Sequence, residues 1–480
     1  MLRGHGQGGD KRMTAERFEK LPLISLCCGW FMVMVDATIV NVALPKLGQE
    51  FGASVGGLQW VVDGYVVAFA ALLLSAGWLG DRVGGRVVFQ GGLALFVVAS
   101  LACALSPSLF VLIAARVVQG VGAAALVPSS LSLVQASYSD QGVRARAIGV
   151  WAMVGGVATG CGPLLGGILA GTLGWRWLFG VNIPIGIVGL FMVWRFVTRG
   201  REPAKSERGR GFDYWGQLTA VVALVALTAA LVRAGQAGVS SPGTILLLAA
   251  FVVGAVGFVL AEQRAGNPML PLALFRSRAV SASTTVGLLM NLGFYGQLFV
   301  LTLYLQQVRH YSALLTGLAL LPQTGVVALG SWLGGQLTSR VGPRIPMLIG
   351  LSVGAGGFFT LTVIHQGIGY GAIVAPIAAA GFGISFTMPA ATAAVLEGVP
   401  ADRSGIASGS LNASRQVGGA IGIALLGAFV SGDVAHFLSG FRVALLVAGG
   451  AYVIGVLVAL CVPAKVDEQE RERIAQLVDG

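Results

Sequence analysis

The amino-acid sequence predicts an all-α membrane protein that crosses the bilayer fourteen times. Of its 480 residues, 55% are hydrophobic and 11% are charged, whereas soluble globular chains are about 25% charged. Apolar runs of about 20 residues, the length that spans a bilayer as a helix, recur from one end of the chain to the other. The sequence lacks the alternating strands of about ten residues that are typical of a membrane barrel.

Each predicted span is a run of hydrophobic and small residues that ends where charged residues, glycine or proline begin. Glycine accounts for 72 residues, which favours close packing of helices inside a membrane. The five cysteines lie in apolar segments without metal-ligand spacing, so we predict neither a disulfide framework nor a metal site. The fourteen spans cover residues 22–46, 58–79, 87–105, 109–134, 146–170, 177–197, 214–234, 243–262, 280–306, 313–337, 346–364, 369–396, 404–430 and 440–463.

The positions of the 31 lysines and arginines predict the side of the membrane on which each loop lies. With the N-terminus inside, 24 of them fall in cytoplasmic segments, five in external segments and two within spans. This bias is typical of cytoplasmic loops. We therefore expect the tails at 1–21 and 464–480 in the cytoplasm, and the protein in the inner (plasma) membrane of a bacterial cell. The net charge of +11 then reflects topology and not nucleic-acid binding.

Two segments repeat along the chain at a nearly constant offset. GWLGDRVGGR at 77–86 matches GQLTSRVGPR at 335–344 in six of ten positions, an offset of 258. GVGAAALVP at 120–128 matches GFGISFTMP at 381–389 more faintly, an offset of 261. Such parallel repeats are typical of transporters built from two similar halves. The predicted domains are an N-terminal six-helix bundle at 22–198, a linker with two extra helices at 199–279 and a C-terminal six-helix bundle at 280–463.

Four motifs follow one another along the first half. DATIVNVALP occupies residues 36–45, and the fourth span carries Arg116, Gln119 and Gly120 as R-x-x-Q-G. Their order and spacing resemble those of the major facilitator superfamily, and specifically of its fourteen-helix drug:proton antiporter family. The resemblance covers nearly the whole chain. The other two matching sets are the loop residues Gly77, Asp81, Arg82, Gly84 and Arg86, and the helix 5 residues Gly156, Gly162, Pro163, Gly166 and Gly167.

This resemblance implies the major facilitator fold, with two six-helix bundles and two inserted helices. It also implies a secondary transporter that exports drugs or other small amphipathic molecules, cations included, in exchange for protons by alternating access. We expect a monomer whose partners are a small-molecule substrate, protons and the lipid bilayer, with no cofactor beyond the proton motive force. The sequence contains no catalytic constellation, so we predict no enzyme. A symporter or uniporter of the same fold that imports a nutrient is the alternative.

The first span carries a carboxylate, Asp36, at its middle, where an uncompensated charge is costly. Arg116 lies at a similar depth, roughly 10–15 Å below the outer surface, and the resemblance implies that both helices line the central cavity. We therefore expect the two groups to meet or share water and to couple proton movement to transport. The alternative is a static ion pair that sets helix packing.

Asp63 on the second span lies at a similar depth and is not supplied by the family resemblance. We predict that it favours cationic or zwitterionic substrates or adds a second proton site. The alternative is an interfacial carboxylate that reaches external water.

Three further features are predicted to have mechanical roles. The loop around Asp81 and Arg82 is expected to lock the cytoplasmic side as a gate, or else to be a short positively charged turn. In helix 5, the spacing of Gly156, Gly160, Gly167 and Gly171 predicts a smooth face, and Pro163 is expected to kink the helix. This face is expected to slide against the opposite half or to pack tightly on it. Arg415, in the thirteenth span, is expected to have a structural role at the interface between the halves.

Five residues are candidates for substrate contact. In the ninth span, Asn291, Tyr295 and Phe299 recur every four residues and form one stripe. An aromatic stripe with amides suits an amphipathic ligand, although a packed or lipid-facing stripe has the same pattern. Asn41 and Gln119 complete the set from the first half.

Overall fold

The structure is a computed structural model, and it describes residues 8–138, 141–197, 211–364, 368–399, 404–431 and 434–463. Throughout these ranges the chain is helical and contains no strand, in agreement with the predicted all-α class. Residues 1–7 of the predicted N-terminal tail (1–21), the whole predicted C-terminal tail (464–480) and the start of the predicted linker fall outside the described residues. The rest of the N-terminal tail belongs to the first helix.

Seventeen α-helices form the described part of the chain. The first span consists of α1, a 3-10 turn at Val40–Ala43 and α2, and the ninth ends in a π-helical turn at Tyr304–Val308. The helices are α1 (Gly8–Ile39), α2 (Leu44–Phe51), α3 (Val55–Val83), α4 (Gly85–Ala104), α5 (Leu109–Ser137), α6 (Gln141–Thr172), α7 (Arg176–Gly180), α8 (Asn182–Phe196), α9 (Tyr214–Ala237), α10 (Pro242–Arg264), α11 (Arg278–Leu303), α12 (Ala313–Ala319), α13 (Leu321–Val341), α14 (Arg344–Leu361), α15 (Gly371–Glu397), α16 (Ser404–Phe429) and α17 (Val434–Ala459).

Within the described residues, thirteen helical stretches are long and apolar enough to cross a membrane. The remaining predicted span is α16, which has 26 residues. Asn412, Ser414, Arg415 and Gln416 lie near its middle and lower its hydropathy. Because a membrane helix tolerates such residues when they face the interior of a bundle or a watery cavity, α16 completes the set of fourteen.

The repeat seen in the sequence is also present in the backbone. Ser54 caps α3 by accepting from Gly57 N, and Ser312 caps α12 in the same way by accepting from Leu315 N. Helix α3 ends at Gly84, and α13, which follows α12, ends at Gly342. Both glycines have positive φ, +98° and +82° respectively. Both pairs of positions are separated by the offset of 258 found in the sequence, so the two turns are copies of one another.

Close helix contacts repeat as well. A Cβ atom on Gly92 would lie 3.0 Å from Gly122 O, and a Cβ atom on Gly350 would lie 2.9 Å from Gly383 O. These four glycines are related by the two sequence offsets. The corresponding helix pairs, α4 with α5 and α14 with α15, are therefore packed backbone against backbone in each half, as small residues permit.

The two halves meet along two seams. On one side α3 packs along α16, and Gln59 Nε2 donates to Ile423 O at 3.0 Å and to Ala424 O at 2.9 Å. On the other side α6 packs against α12 and α13, and a Cβ atom on Gly167 would lie 2.7 Å from Ala313 O. We call the end of the bundle with the α2–α3 turn the distal end, and the end with the α3–α4 turn the terminal end.

The halves approach each other most closely toward the distal end. Gln306 Nε2 donates to Val42 O across the interface at 2.8 Å, and residues 61–67 of α3 and 296–303 of α11 are buried. Partial exposure begins at Ala68 on α3 and at Tyr295 on α11, going toward the terminal end. The interior is therefore sealed distally, and accessible residues begin about midway along these helices.

The inserted helices lie beside one seam. α9 packs against both α3 and α16, whereas α10 packs mainly on α9. Gln217 Nε2 of α9 donates to Ala71 O of α3 at 3.0 Å, and a Cβ atom on Gly235 would lie 2.6 Å from the Cα atom of Ala428 on α16. α9 thus contacts the first half near its start and the second half near its end.

The α3–α4 turn provides a test of the backbone geometry. Gly84→Ala should lower the thermal midpoint of the detergent-solubilised protein by a few degrees, because a side chain at φ +98° adds about 1–3 kcal/mol of strain. Gly91→Ala is the matched control, since a Cβ atom there has no neighbour within 4 Å and alanine favours a helix. Equal midpoints for the two variants would contradict the backbone conformation described for Gly84.

Candidate functional site

The centre of the first half contains a buried ion pair. Asp36 on α1 and Arg116 on α5 are both fully inaccessible to solvent, and Arg116 Nη1 contacts Asp36 Oδ2. Removing either charge from water is costly unless the partner and further hydrogen bonds compensate it. The side chains around the pair show how this is achieved.

Two amides complete the surroundings of the Asp36 carboxylate. Gln119 Nε2 donates to Oδ1 at 3.0 Å, and Asn182 Nδ2 of α8 donates to the same oxygen at 2.9 Å. Gln119 Nε2 also donates to Ser100 Oγ of α4 at 2.9 Å. Four helices, α1, α4, α5 and α8, therefore contribute to one polar cluster, and both carboxylate oxygens have donors.

The Arg116 guanidinium group is held on several sides. Its Nε donates to Val61 O of α3 at 3.0 Å, and Nη1 donates to Gln119 Oε1 at 2.6 Å. The guanidinium carbon lies 4.3 Å from the centre of the Tyr65 ring and 5.7 Å from that of Phe179. Nη2 has no hydrogen-bond partner among the described residues, and the aromatic faces supply the remaining electrostatic compensation.

The cluster is buried within the first half of the molecule. Asp36, Arg116, Gln119 and Asn182 are at most 2% exposed and face the inside of the first six-helix unit. The reason is the direction of their partners, which lie on helices of the same half. In this conformation the Asp36 side chain has no contact with solvent.

Asp63 is buried without compensation. Its side chain is fully inaccessible, and neither carboxylate oxygen has a hydrogen-bond partner among the described residues. Gln59, one helical turn away, is bound to the backbone of α16. The alternative of a carboxylate that reaches external water is therefore wrong for this conformation, because Asp63 lies within the buried stretch 61–67 of α3.

The five candidate substrate residues do not form one site. Asn41 is 2% exposed and donates to Thr38 O at 3.2 Å, and Gln119 belongs to the ion-pair cluster. Asn291 and Phe299 are buried, at 1% and 0% exposed. Tyr295 alone among them is partly exposed, so only it lies where a ligand could reach it in this conformation.

The loop motif lies at the terminal end, around the turn between α3 and α4. Asp81 and Arg82 are exposed at the end of α3, and the Arg82 guanidinium carbon lies 5.3 Å from the centre of the Trp78 ring. Arg86 Nη2 donates to Trp194 O of α8 at 2.7 Å, and a Cβ atom on Gly77 would have only Pro128 nearby, at 3.8 Å. Arg86 therefore connects the turn to the end of α8.

The predicted fifth span is α6 in the structure. The glycines of its motif make contacts on two different sides of the helix. Gly162 and Gly166 lie against α1, where a Cβ atom on Gly166 would lie 2.5 Å from Ile39 O. Gly156 and Gly167 face the second half instead, toward Val327 and Ala313 respectively. Pro163 lies inside the same helix, between Gly162 and Gly166. α6 thus has one smooth face for its own bundle and another for the opposite half.

Three residues of the site were missed by the sequence analysis. Asn182 and Ser100 belong to the Asp36 cluster, and Gln59 closes the distal seam. Asn182 follows Asp36 by 146 positions, so no spacing rule connects them. The one available signal was that each is a polar residue inside an apolar span, which indicates a polar partner on another helix.

Comparisons with known proteins agree with this architecture. The family model described as Major Facilitator Superfamily matches residues 26–423. The multidrug resistance protein Stp of Mycobacterium tuberculosis is 39% identical over 415 residues, which are 86% of this chain and 76% of that protein. The methylenomycin A resistance protein of Bacillus subtilis is 35% identical over 91% of this chain and 92% of its own length.

The fold itself is similar to that of a solved transporter. A bacterial homologue of the human lysosomal transporter Spinster, in an inward-facing and unoccupied conformation, superposes with a TM-score of 0.65. The alignment covers 94% of this chain and 99% of that chain at 16% sequence identity. At this identity the likeness shows the fold alone.

The buried ion pair makes a prediction for stability. Arg116→Met should lower the free energy of unfolding by about 3–5 kcal/mol, because it leaves a buried carboxylate without its cation. The double variant Asp36→Asn/Arg116→Met should regain part of that loss, since no buried charge then remains. Thermal midpoints of the detergent-solubilised proteins provide the comparison.

An exposed ion pair serves as the matched control. Arg176 Nη1 lies 2.8 Å from Glu50 Oε1, with side chains 46% and 40% exposed. Surface pairs contribute about 0–1 kcal/mol, so Arg176→Met should change the midpoint little. A double variant no more stable than Arg116→Met alone would rule out charge burial as the cause.

Proposed function

The chain belongs to the major facilitator superfamily, and on this premise we propose that it is a proton-coupled exporter of drugs or other small amphipathic molecules. The resistance proteins among its relatives support export, because removal of a toxic compound from the cell confers resistance. The observation that carries the coupling is the Asp36 carboxylate, buried at the meeting point of four helices and held by a guanidinium and two amides.

The proposed coupling follows from the chemistry of this cluster. While Asp36 is ionised, Arg116 and the amides draw α1, α4, α5 and α8 together. Protonation removes the negative charge, so Arg116 loses its counter-ion and the ionised arrangement loses its advantage. The first half can then adopt a second packing. A proton that enters from one side and leaves to the other drives the exchange between the two packings.

Other predicted features fit this cycle as proposals. α6 is the sliding surface, with glycines toward both α1 and the second half. The loop of Asp81 and Arg82 is the gate that closes the terminal end when the distal seam opens. Asp63, buried in the distal seam without a partner, is the second proton site. Opening of that seam would expose it to water.

The proposed orientation places both tails in the cytoplasm of the cell that carries this protein in its inner membrane. It rests on the excess of lysine and arginine in the segments at the terminal end. The distal seal then faces outward, and the accessible residues around Tyr295 face the cytoplasm, from which an exporter takes its substrate.

Proton release provides the direct test of this proposal. In inside-out membrane vesicles acidified by respiration, a substrate should collapse the pH gradient when the wild-type protein is present. Ethidium, puromycin and nalidixate form the probe set. Asp36→Asn should abolish the effect, because the coupling carboxylate is gone.

The same assay separates export from import. An exporter accumulates the drug in these vesicles, whereas an importing symporter depletes it. Arg176→Met, at the exposed pair, is the control for expression and insertion. Equal drug-dependent signals from wild type and Asp36→Asn would place coupling at another residue.

Asp63 has its own prediction. If it is a second proton site, Asp63→Asn should reduce the number of protons released per drug molecule, or shift the pH dependence of transport, without removing export. The measurement is the ratio of proton flux to drug flux across external pH values. An unchanged ratio and an unchanged pH profile would leave Asp63 without a part in coupling.

A further inference from the structure

A second charge in a predicted span, Arg415 on α16, has no counter-ion among the described residues. It lies near the middle of this 26-residue helix, and neither of the two ion pairs found among the described residues includes it. Its only hydrogen bond in that part of the chain runs from Nη1 to Asn412 Oδ1, at 3.3 Å, and its Nε is buried without a partner. Arg116, by contrast, has the Asp36 carboxylate as its counter-ion.

The aliphatic part of Arg415 is firmly placed. A Cβ atom on Gly287 of α11 would lie 3.1 Å from Arg415 Cγ, so the stem runs closely along the α11 backbone. Asn412 Nδ2 donates to Ser408 O at 3.1 Å, which turns the amide oxygen of Asn412 toward the guanidinium group. The guanidinium is thus oriented by packing and by one neutral acceptor, with most of its donors left over.

Arg415 also lies where the interior becomes accessible. Residues 412–417 of α16 are all partly exposed, whereas residues 418–420 are buried. Tyr295 of α11, the last partly exposed residue before the distal seal, lies beside the same stretch, because a Cβ atom on Gly419 would lie 3.4 Å from its ring. Arg415 and Tyr295 therefore lie close to the level at which α11 and α16 change from partly exposed to buried.

We propose that Arg415 binds an anionic group of the transported molecule, such as a carboxylate, with the Tyr295 ring against its apolar part. A guanidinium fork binds a carboxylate through two parallel hydrogen bonds, and an uncompensated cation in a membrane protein marks a path for substrate or ions. The proposal rests on the transport function above and names its substrate class as acids and zwitterions. In this proposal Arg415 recognises the substrate, in place of the structural role predicted for it from the sequence.

The test compares acids with their own esters. Purified protein in detergent is titrated with benzoate, 1-naphthoate, anthracene-9-carboxylate and nalidixate, each beside its methyl ester, and the thermal midpoint is followed. At least one acid should raise the thermal midpoint at a concentration about tenfold lower than its methyl ester requires. Arg415→Gln should abolish this preference, and Arg415→Lys should retain part of it because the charge remains.

Matched controls make the result specific. Arg442→Gln removes the same charge from α17 at the distal end, where Arg442 Nη2 donates to Ile364 O at 3.4 Å, and should leave the acid preference unchanged. Ester binding reports whether Arg415→Gln is folded. Phosphatidylglycerol, added in place of the acids, tests whether a lipid phosphate is the anion instead.

The proposal is overturned if no acid stabilises the wild-type protein at a lower concentration than its ester does. It is also overturned if the acid preference persists in Arg415→Gln. An Arg415-dependent rise of the midpoint with phosphatidylglycerol but with none of the acids would likewise contradict it. The assay uses no proton gradient, so its result is independent of coupling. Acid preference without drug-dependent proton release would sustain this inference and reject proton antiport.

Discussion

The ion pair between Asp36 and Arg116 determines how the first half of the molecule packs. Both charges lie in the apolar centre of the bundle, where neither is tolerable without close partners. The donors that satisfy them come from α5 and α8, and Ser100 of α4 binds the same amide. Those helices must approach α1 closely enough for side chains to meet, so one pair of charges fixes the arrangement of four helices.

The second half shows what the same backbone does without these charges. By the two sequence offsets, Asp36 corresponds to Phe294 and Arg116 to Ile377, so apolar side chains occupy the two positions of the ion pair. Both halves keep the glycine contacts between corresponding helices and the positive-φ turn. Fold and chemistry are therefore separable here: small residues repeat because the packing repeats, whereas the buried Asp36–Arg116 pair belongs to the first half only.

Much of the fold followed from the sequence because its signals are local or periodic. The spans follow from apolar runs and the repeat from matched segments such as the one ending at Gly84 and Gly342. Contact between Asp36 and Arg116 was also expected, from their similar depth. The partners of Asp36 were harder to predict, since Asn182 is distant in sequence and its amide has no distinctive pattern. Asp63 has no hydrogen-bond partner among the described residues because of the helix that it faces. Hydropathy does not predict which helix that is.

The place of α9 has a consequence for molecules dissolved in the bilayer. This helix lies over the groove between α3 and α16, in contact with both, and α10 covers it from outside. A compound diffusing sideways within a leaflet therefore meets two extra helices on that flank, while the α6 flank has no such cover in the described part of the chain. The molecule is therefore laterally asymmetric, because two further helices cover one seam between its halves and, in the described part of the chain, none covers the other.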